Sequence, residues 1–396
     1  MLNRVPAYVW TLLSLLAGLA LGGLAGDHLA GVASGTQSAL SLFIRVVPVL
    51  IFIALSPAVH KITQQGRGGR LALTVVCWYL LTSICAGLLG VVISSLLFDI
   101  EMSAREGDLL AQAGAMLSLL NSDASASWPL LAIAAAVLAG LLANRVPMLA
   151  TLLTQFDQGL SRSTPLLGRV MPVLVFFLGI TLGVNIGATE SLSYYVLMTL
   201  YTLLLCAAWL GLYLLVVIKL LARQPVGRVL RDYYFPTALF AAGTCSSLAT
   251  LPVNLDNARR YGADPAVSNF VIPIGCVINM DTSALAYVAY APFVMTVVFD
   301  LPVTWAVLLV AWPAIVLFTI AAPGLPAGMG TALWSSTLFS ALLGLEGDEQ
   351  AMFIGTWIAL SGGIPDMLRT ATNATCDGFT AIFLSALGRH REGPVR

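Results

Sequence analysis

"DNARRYGAD", residues 256–264, decides the fold. It closes the apolar stretch 234–258 and carries Arg259 and Arg260. In a chain that crosses a bilayer, loops rich in Lys and Arg stay on the cytoplasmic side. "HKITQQGRGGR" (60–70), "ARQPVGRVLRD" (222–232) and the tail "GRHREGPVR" (388–396) share that basic character. "DIEMSAREGD" (99–108), "GATES" (187–191), "VFDLP" (298–302) and "LEGDEQ" (345–350) are acidic and contain one arginine, Arg105. If 234–258 crossed the membrane once, Arg259 and Arg260 would emerge on the acidic side. The two groups separate only if 234–258 re-enters from the cytoplasm and 303–345 re-enters from outside.

The rest of the chain fits a membrane setting. Its 396 residues are 59% hydrophobic and 10% charged, against about 25% charged in soluble domains. Apolar stretches long enough to span a bilayer recur at 5–25, 38–59, 71–97, 128–148, 166–187, 193–221, 266–297 and 352–387. The first of these reads as a transmembrane helix rather than a signal peptide, because so many spans follow it. The expected fold is an all-α polytopic membrane protein of eight transmembrane helices plus two opposed re-entrant helical hairpins. It would sit in the plasma (cell inner) membrane with both termini cytoplasmic. Net charge is zero, which speaks against nucleic acid as a partner. The six cysteines lie in apolar segments without a CxxC pair, and the three histidines are scattered, so no zinc or haem signature is present.

Polar groups inside the apolar segments carry the chemistry. "IPDMLRTATNATCDGF" (364–379) holds Asp366, Arg369, Asn373 and Asp377. On a helix these four share an arc of about 80°. An ionised side chain at mid-bilayer costs about 2.5–3.5 kcal/mol even on lenient scales, so such a stripe needs partners. An Asp366–Arg369 salt bridge that merely joins helices would leave Asp377 without one. "INMDTSA" (278–284) interrupts another span with Asn279 and Asp281, and "WYLLTS" (78–83) puts Tyr79, Thr82 and Ser83 on one helical face. Hydroxyls, carboxylates and free carbonyls are hard-oxygen ligands suited to an alkali or alkaline-earth cation. "AGTCSSLATLP" (242–252) supplies Ser246 and Ser247 near the first hairpin tip, where free N–H groups can bind an anion. "IAAPGLPAGMG" (320–330) prevents a continuous helix and suits a mobile second tip. Asp281, Asp366 and Asp377 against Arg369 leave two negative charges. An acidic amino acid would add one, and burying the sum needs about three monovalent cations.

In these motifs the chain resembles the glutamate/aspartate transporter family, the dicarboxylate/amino acid:cation symporters. The resemblance covers nearly the whole chain in segment order and is strongest in "YLLTS", "SSLATLP", "INMD", "GLPAGMG" and "DMLRTATNATCD". It implies a homotrimer working by an elevator mechanism. Residues 1–70 would form scaffold helices one and two, 71–97 transport-domain helix three, and 98–190 scaffold helices four and five. Residues 191–396 would form transport-domain helix six, both hairpins and helices seven and eight. By resemblance, Asp366 faces a substrate ammonium, Arg369 its side-chain carboxylate and Asn373 its α-carboxylate. Thr370 and Ser283 line the pocket, and Ser246, Ser247 and Leu325 contribute from the tips. One Na+ would lie at Asp377 with Gly275, Asn279 and Asn373. A second would lie at Tyr79, Thr82, Ser83, Asn279 and Asp281, and a third at Met280, Thr319, Ile320 and Ala322.

Departures from the family pattern fall at the pocket. Cys245 and Met367 stand where relatives carry a second arginine. The family's "NMDGTAL" reads "NMDTSAL", with Thr282 and Ser283. Ala286 and Tyr287 stand near where the potassium-coupled animal members have a glutamate, so no proton-and-potassium countertransport is expected. The resulting expectation is no enzyme but a sodium-coupled symporter of an acidic amino acid. The alternatives within the class are a neutral amino acid (serine or threonine), cystine or a C4-dicarboxylate. Outside it stand an intramembrane aspartyl protease using Asp281 and Asp366, where the chain has "GGIPD" instead of a Gly-x-Gly-Asp stretch, and a channel.

Overall fold

The computed structural model describes residues 7–44, 47–65, 70–100, 127–321 and 329–392, whose regular structure is helical throughout. Ala322, Leu325 and most of the second hairpin tip lie outside the described residues, as does most of the acidic stretch 99–108. The first helices are α1 (Ala7–Leu24), α2 (Gly26–Ile44), α3 (Val47–Gln65), α4 (Arg70–Leu97), α5 (Ser127–Leu142) and α6 (Pro147–Ile186). Next come α7 (Ala188–Leu212), prolonged by a π-helical segment Tyr213–Leu221, and the single turn α8 (Val226–Val229). A π-helical turn, Leu230–Tyr234, leads on into α9 (Phe235–Thr244). The remainder are α10 (Ser247–Tyr261), α11 (Pro265–Ile278), α12 (Asp281–Pro292) with a π-helical extension Phe293–Val298, α13 (Trp305–Ala321), α14 (Met329–Leu342), α15 (Gly347–Ser361) and α16 (Ile364–Glu392).

Length and apolar character together separate the candidate spans from the other helices. Among the described residues three stretches are long and apolar enough to cross a membrane: Leu73–Leu97, Thr189–Leu221 and Pro265–Val298. α15 and α16 pass the same test together but bend by 62° at Gly362–Gly363, so the expected continuous span at 352–387 is broken. Two other expected spans differ in outline. The stretch 38–59 is shared between α2 and α3, and 166–187 is the end of the much longer α6. A polar first half, "TQFDQGLSRS" (154–163), carries α6 beyond its apolar part, because helix propensity does not stop where hydrophobicity does.

α9 and α10 form a helical hairpin. With 10 and 15 residues they measure about 15 and 22 Å, each short of the roughly 30 Å hydrocarbon layer. The turn is Cys245, in the left-handed region at φ 46°, followed by Ser246, whose side chain caps α10 by accepting from Ala249 N–H at 3.2 Å. The arms run antiparallel: Thr244 Oγ1 meets Thr250 Oγ1 at 3.1 Å, and further out Asn257 Nδ2 donates to Thr237 Oγ1 at 3.0 Å. The chain therefore returns to the end it left. There Tyr261 donates to Gln224 Oε1 at 3.2 Å, and the Arg228 guanidinium lies 5.3 Å from the Tyr261 ring centre. "DNARRYGAD" thus meets "ARQPVGRVLRD", and Ser385 near the basic tail accepts the Asp264 N–H at 2.9 Å. At the other basic loop, Gln64 donates to Asn144 Oδ1 at 3.1 Å, beside Arg145.

Two further features order the bundle. α1 and α6 meet along paired Gly-xxx-Gly ridges, Gly18/Gly22 and Gly179/Gly183. A Cβ added to Gly179 would sit 2.8 Å from the Leu15 carbonyl, so only glycine lets these backbones approach. α4 packs along α12, and α9, α10 and α11 pack against α16, which is almost wholly buried from Pro365 to Ala386. α13 and α14 pack against each other, with Phe318 and Trp334 rings 5.8 Å apart.

Candidate functional site

The site forms where the break between α11 and α12 meets α16 and α4. Asn279 and Met280 leave helical geometry between the two helices, which frees backbone groups at the centre of the packed core. Asp366, Arg369, Asn373 and Asp377 lie on α16 and are all buried, so the helical period does put them on one inward stripe.

Each member of the stripe has its own partners. Asp377 Oδ1 accepts from Asn279 Nδ2 at 2.8 Å, and Cys276 Sγ lies 3.6 Å from its Oδ2. The same thiol lies 3.4 Å from the carbonyl oxygen of Ser247 on the hairpin tip. Asn373 Oδ1 accepts the Thr282 N–H at 2.8 Å, while its Nδ2 donates to Ser283 Oγ at 3.0 Å and reaches Met280 Sδ at 3.9 Å. Arg369 Nη2 donates to Asp366 Oδ1 at 3.1 Å and to the Ser361 carbonyl at 3.0 Å. Its guanidinium carbon lies 4.4 Å from the ring centre of Tyr287 and 5.7 Å from that of Tyr290. Two aromatic faces and a carboxylate thus hold a cation that exposes 1% of its surface.

α4 supplies a second wall. Thr82 Oγ1 and Ser83 Oγ donate to Asp281 Oδ1 at 3.1 and 2.9 Å. Tyr79 donates to the Val271 carbonyl at 3.1 Å. A methyl group on Gly275 would collide with Asp377 Oδ1 and lie 2.7 Å from the Tyr79 hydroxyl. Gly275→Ala is therefore expected to overpack this wall, at a cost of about 1–3 kcal/mol, visible as a lowered midpoint in thermal unfolding.

Several buried polar atoms have no hydrogen-bond partner among the described residues: Asn279 Oδ1, Asp281 Oδ2, Asp366 Oδ2, Thr282 Oγ1 and Arg369 Nη1. Unpaired buried groups are costly. Three of the five are anionic or carbonyl oxygens, which is the donor set for a hard cation such as Na+. Na+ fits Asn279 Oδ1 and Asp281 Oδ2 by chemistry, with Asp281 the negative member; Asp377 adds a second carboxylate beside Asn279, from whose Nδ2 it accepts. Thr370 is buried on α16 beside the stripe. Thr319 and Ile320 are buried on α13, where Thr319 Oγ1 donates to the Val316 carbonyl at 2.8 Å and to no group of the stripe.

Sequence reasoning passed over Tyr290, Cys276 and Ser361. Tyr287 and Tyr290 stand three apart, an aromatic pair on one helix face, and that spacing was the available signal for an arginine clamp. Nothing local marks Cys276 or the Ser361 carbonyl.

In sequence the chain is similar to known transporters. A serine/threonine transporter, SstT, from Acinetobacter baylyi is 32% identical over 143 residues, which is 36% of this chain and 33% of that protein. Human excitatory amino acid transporter 1 is 33% identical over 153 residues, 38% of this chain and 26% of that protein. A putative sodium-dependent excitatory amino acid transporter, glt-6, of Caenorhabditis elegans is 31% identical over 152 residues. The matched part thus spans about a third or a quarter of these relatives' own length. The model of the sodium:dicarboxylate symporter family matches residues 7–387, nearly the whole chain, and the chain belongs to that family.

Proposed function

We propose that the protein is a sodium-coupled symporter that takes up an acidic amino acid, aspartate or glutamate. The observation that carries this is the buried stripe on α16, where Asn373 and Asp377 bond the broken α11–α12 junction and Arg369 pairs with Asp366 against Tyr287 and Tyr290 of α12. Asp366 would hold the substrate ammonium, Arg369 the side-chain carboxylate, and Asn373 the α-carboxylate with Thr370, Ser283, Ser246, Ser247 and Leu325 around them. Asp377, Asp281 and their neighbours would hold Na+, about three in the loaded state, matching the charge the substrate adds. Na+ supplies the counter-charge that makes the carboxylates tolerable with substrate present. Asn279 and Thr82 already orient those carboxylates by hydrogen bonds.

Transport would proceed as an elevator in a homotrimer. α4 and α7–α16 would slide as the moving part against a scaffold of α1–α3, α5 and α6, with eight spans, two re-entrant hairpins and both termini in the cytoplasm. Contacts within each set support the division: α1 with α6 and α3 with α5 on one side, α4 with α12 and α9 with α16 on the other.

A second reading is favoured by one observation. Arg369 already has a carboxylate, a carbonyl and two aromatic faces around it, which leaves Nη1 alone without a partner among the described residues, and so asks less of a substrate. A neutral amino acid would suit such a site, as the name of the A. baylyi relative also suggests. Uptake of radiolabelled aspartate, glutamate and serine into proteoliposomes, with and without an inward sodium gradient, decides. Sodium-driven accumulation of aspartate or glutamate supports the first reading and of serine alone the second. Equal accumulation in choline would refute both.

A further inference from the structure

Tyr233 and Asn254 are fully buried on either side of the hairpin, one in the π-helical turn before α9 and the other in α10. Their polar atoms close on each other and on α16. The Tyr233 hydroxyl lies 2.7 Å from Asn254 Oδ1 and 3.0 Å from the Thr375 carbonyl, so its one proton is shared between them. Asn254 Nδ2 donates to the Ala374 carbonyl at 2.7 Å. Both carbonyls belong to the helical turn between Asn373 and Asp377. The fit is tight. A methyl group on Gly378, the residue after Asp377, would collide with the Tyr233 hydroxyl, and the Tyr233 ring packs edge-on against Phe379 with centres 5.3 Å apart.

Carbonyls inside a helix already accept from their own helix. An added donor fixes the helix against a neighbour, here in rotation as well as position. The direction of the Asp377 carboxylate follows from that rotation, and a cation site tolerates errors of only about 0.5 Å. The second helix pair behaves differently. Among the described residues no side-chain hydrogen bond joins α13 or α14 to α16, and the hydroxyls of Thr319, Ser336 and Ser340 donate to carbonyls of their own helix.

We propose that Tyr233 and Asn254 form a latch that makes the α9–α10 hairpin one body with α16, and that both are positioning residues for a cation at Asp377. This rests on the function proposed above. Asn254 holds the turn through Ala374, Tyr233 holds it through Thr375 and fills the notch at Gly378, and each orients the other.

The test compares purified wild type with Tyr233→Phe, Asn254→Leu, the double variant and Asn257→Leu. Asn257 bonds Thr237 within the hairpin and does not reach α16. Two readouts are taken: the sodium half-saturation of aspartate uptake in proteoliposomes, and the rise in unfolding midpoint on replacing choline chloride with sodium chloride. Each latch variant is expected to raise the sodium half-saturation about fivefold, the size of one net hydrogen bond. The double variant is expected to raise it by no more than either alone, because the two act through one device. Asn257→Leu should lower the midpoint and leave the sodium half-saturation unchanged. If Asn254→Leu fails to fold, Tyr233→Phe, which keeps the ring in its notch, decides alone. Latch variants that match wild type, or an equal rise in Asn257→Leu, would overturn the latch while leaving the symporter intact. A wild type indifferent to sodium in both readouts would overturn the proposed function and the latch together.

Discussion

Arg369→Ala is expected to lower sodium-driven aspartate uptake at least a hundredfold. The guanidinium is the positive partner of Asp366 at 3.1 Å, in a place where Asp366 exposes 4% of its surface. In the proposed site, removing the guanidinium also leaves a bound side-chain carboxylate without its charged partner, at about 2–5 kcal/mol of binding, and a factor of ten corresponds to about 1.4 kcal/mol. Lysine should rescue poorly. A single ammonium cannot lie flat between Tyr287 and Tyr290 while also donating to Asp366 and the Ser361 carbonyl. Initial uptake rates of aspartate and serine, measured side by side, check this. A variant that retains aspartate uptake and gains no serine uptake would remove Arg369 from the substrate site.

Asp377→Asn has the second largest expected effect, and its two consequences point in opposite directions. In sodium the variant loses the negative charge at the site where Asn279 and Cys276 converge, so sodium half-saturation should rise more than tenfold. In choline the same change removes a buried charge that no cation balances, while an amide oxygen can still accept from Asn279. The unfolding midpoint in choline should therefore stay level or rise by a few degrees, since relieving an uncompensated buried charge is stabilising. Thermal unfolding in the two salts separates this from general damage. A variant less stable in both salts by the same amount would mean that Asp377 is a structural acid and not a cation ligand.

These two residues were visible before any coordinates, for a simple reason. Asp366, Arg369, Asn373 and Asp377 lie within one helix, and helical geometry converts their spacing directly into a shared face. The turn between α9 and α10 was also legible, because the charge pattern asks Arg259 and Arg260 to come back toward Arg228 and Arg231, and Tyr261 beside them meets Gln224 and Arg228. The bend at Gly362–Gly363 was not. Hydropathy averages over a helix and says nothing of its direction, so two apolar helices in sequence look like one.

By itself the amino-acid order determined the environment, the helical class, the two antiparallel arms of the first hairpin and the polar stripe of the last helix. Each of these follows from charge, period or turn chemistry within a few tens of residues. Only the tertiary structure decided which distant groups meet. Tyr287 and Tyr290 close on Arg369 from another helix, and Asn254 reaches Ala374 across 120 positions of chain; the meeting of Thr82 and Ser83 with Asp281 was implied by the family resemblance alone. Such pairings depend on the rotation and depth of one packed helix against another. Side-chain shape sets those variables when the core forms, and no local pattern records them.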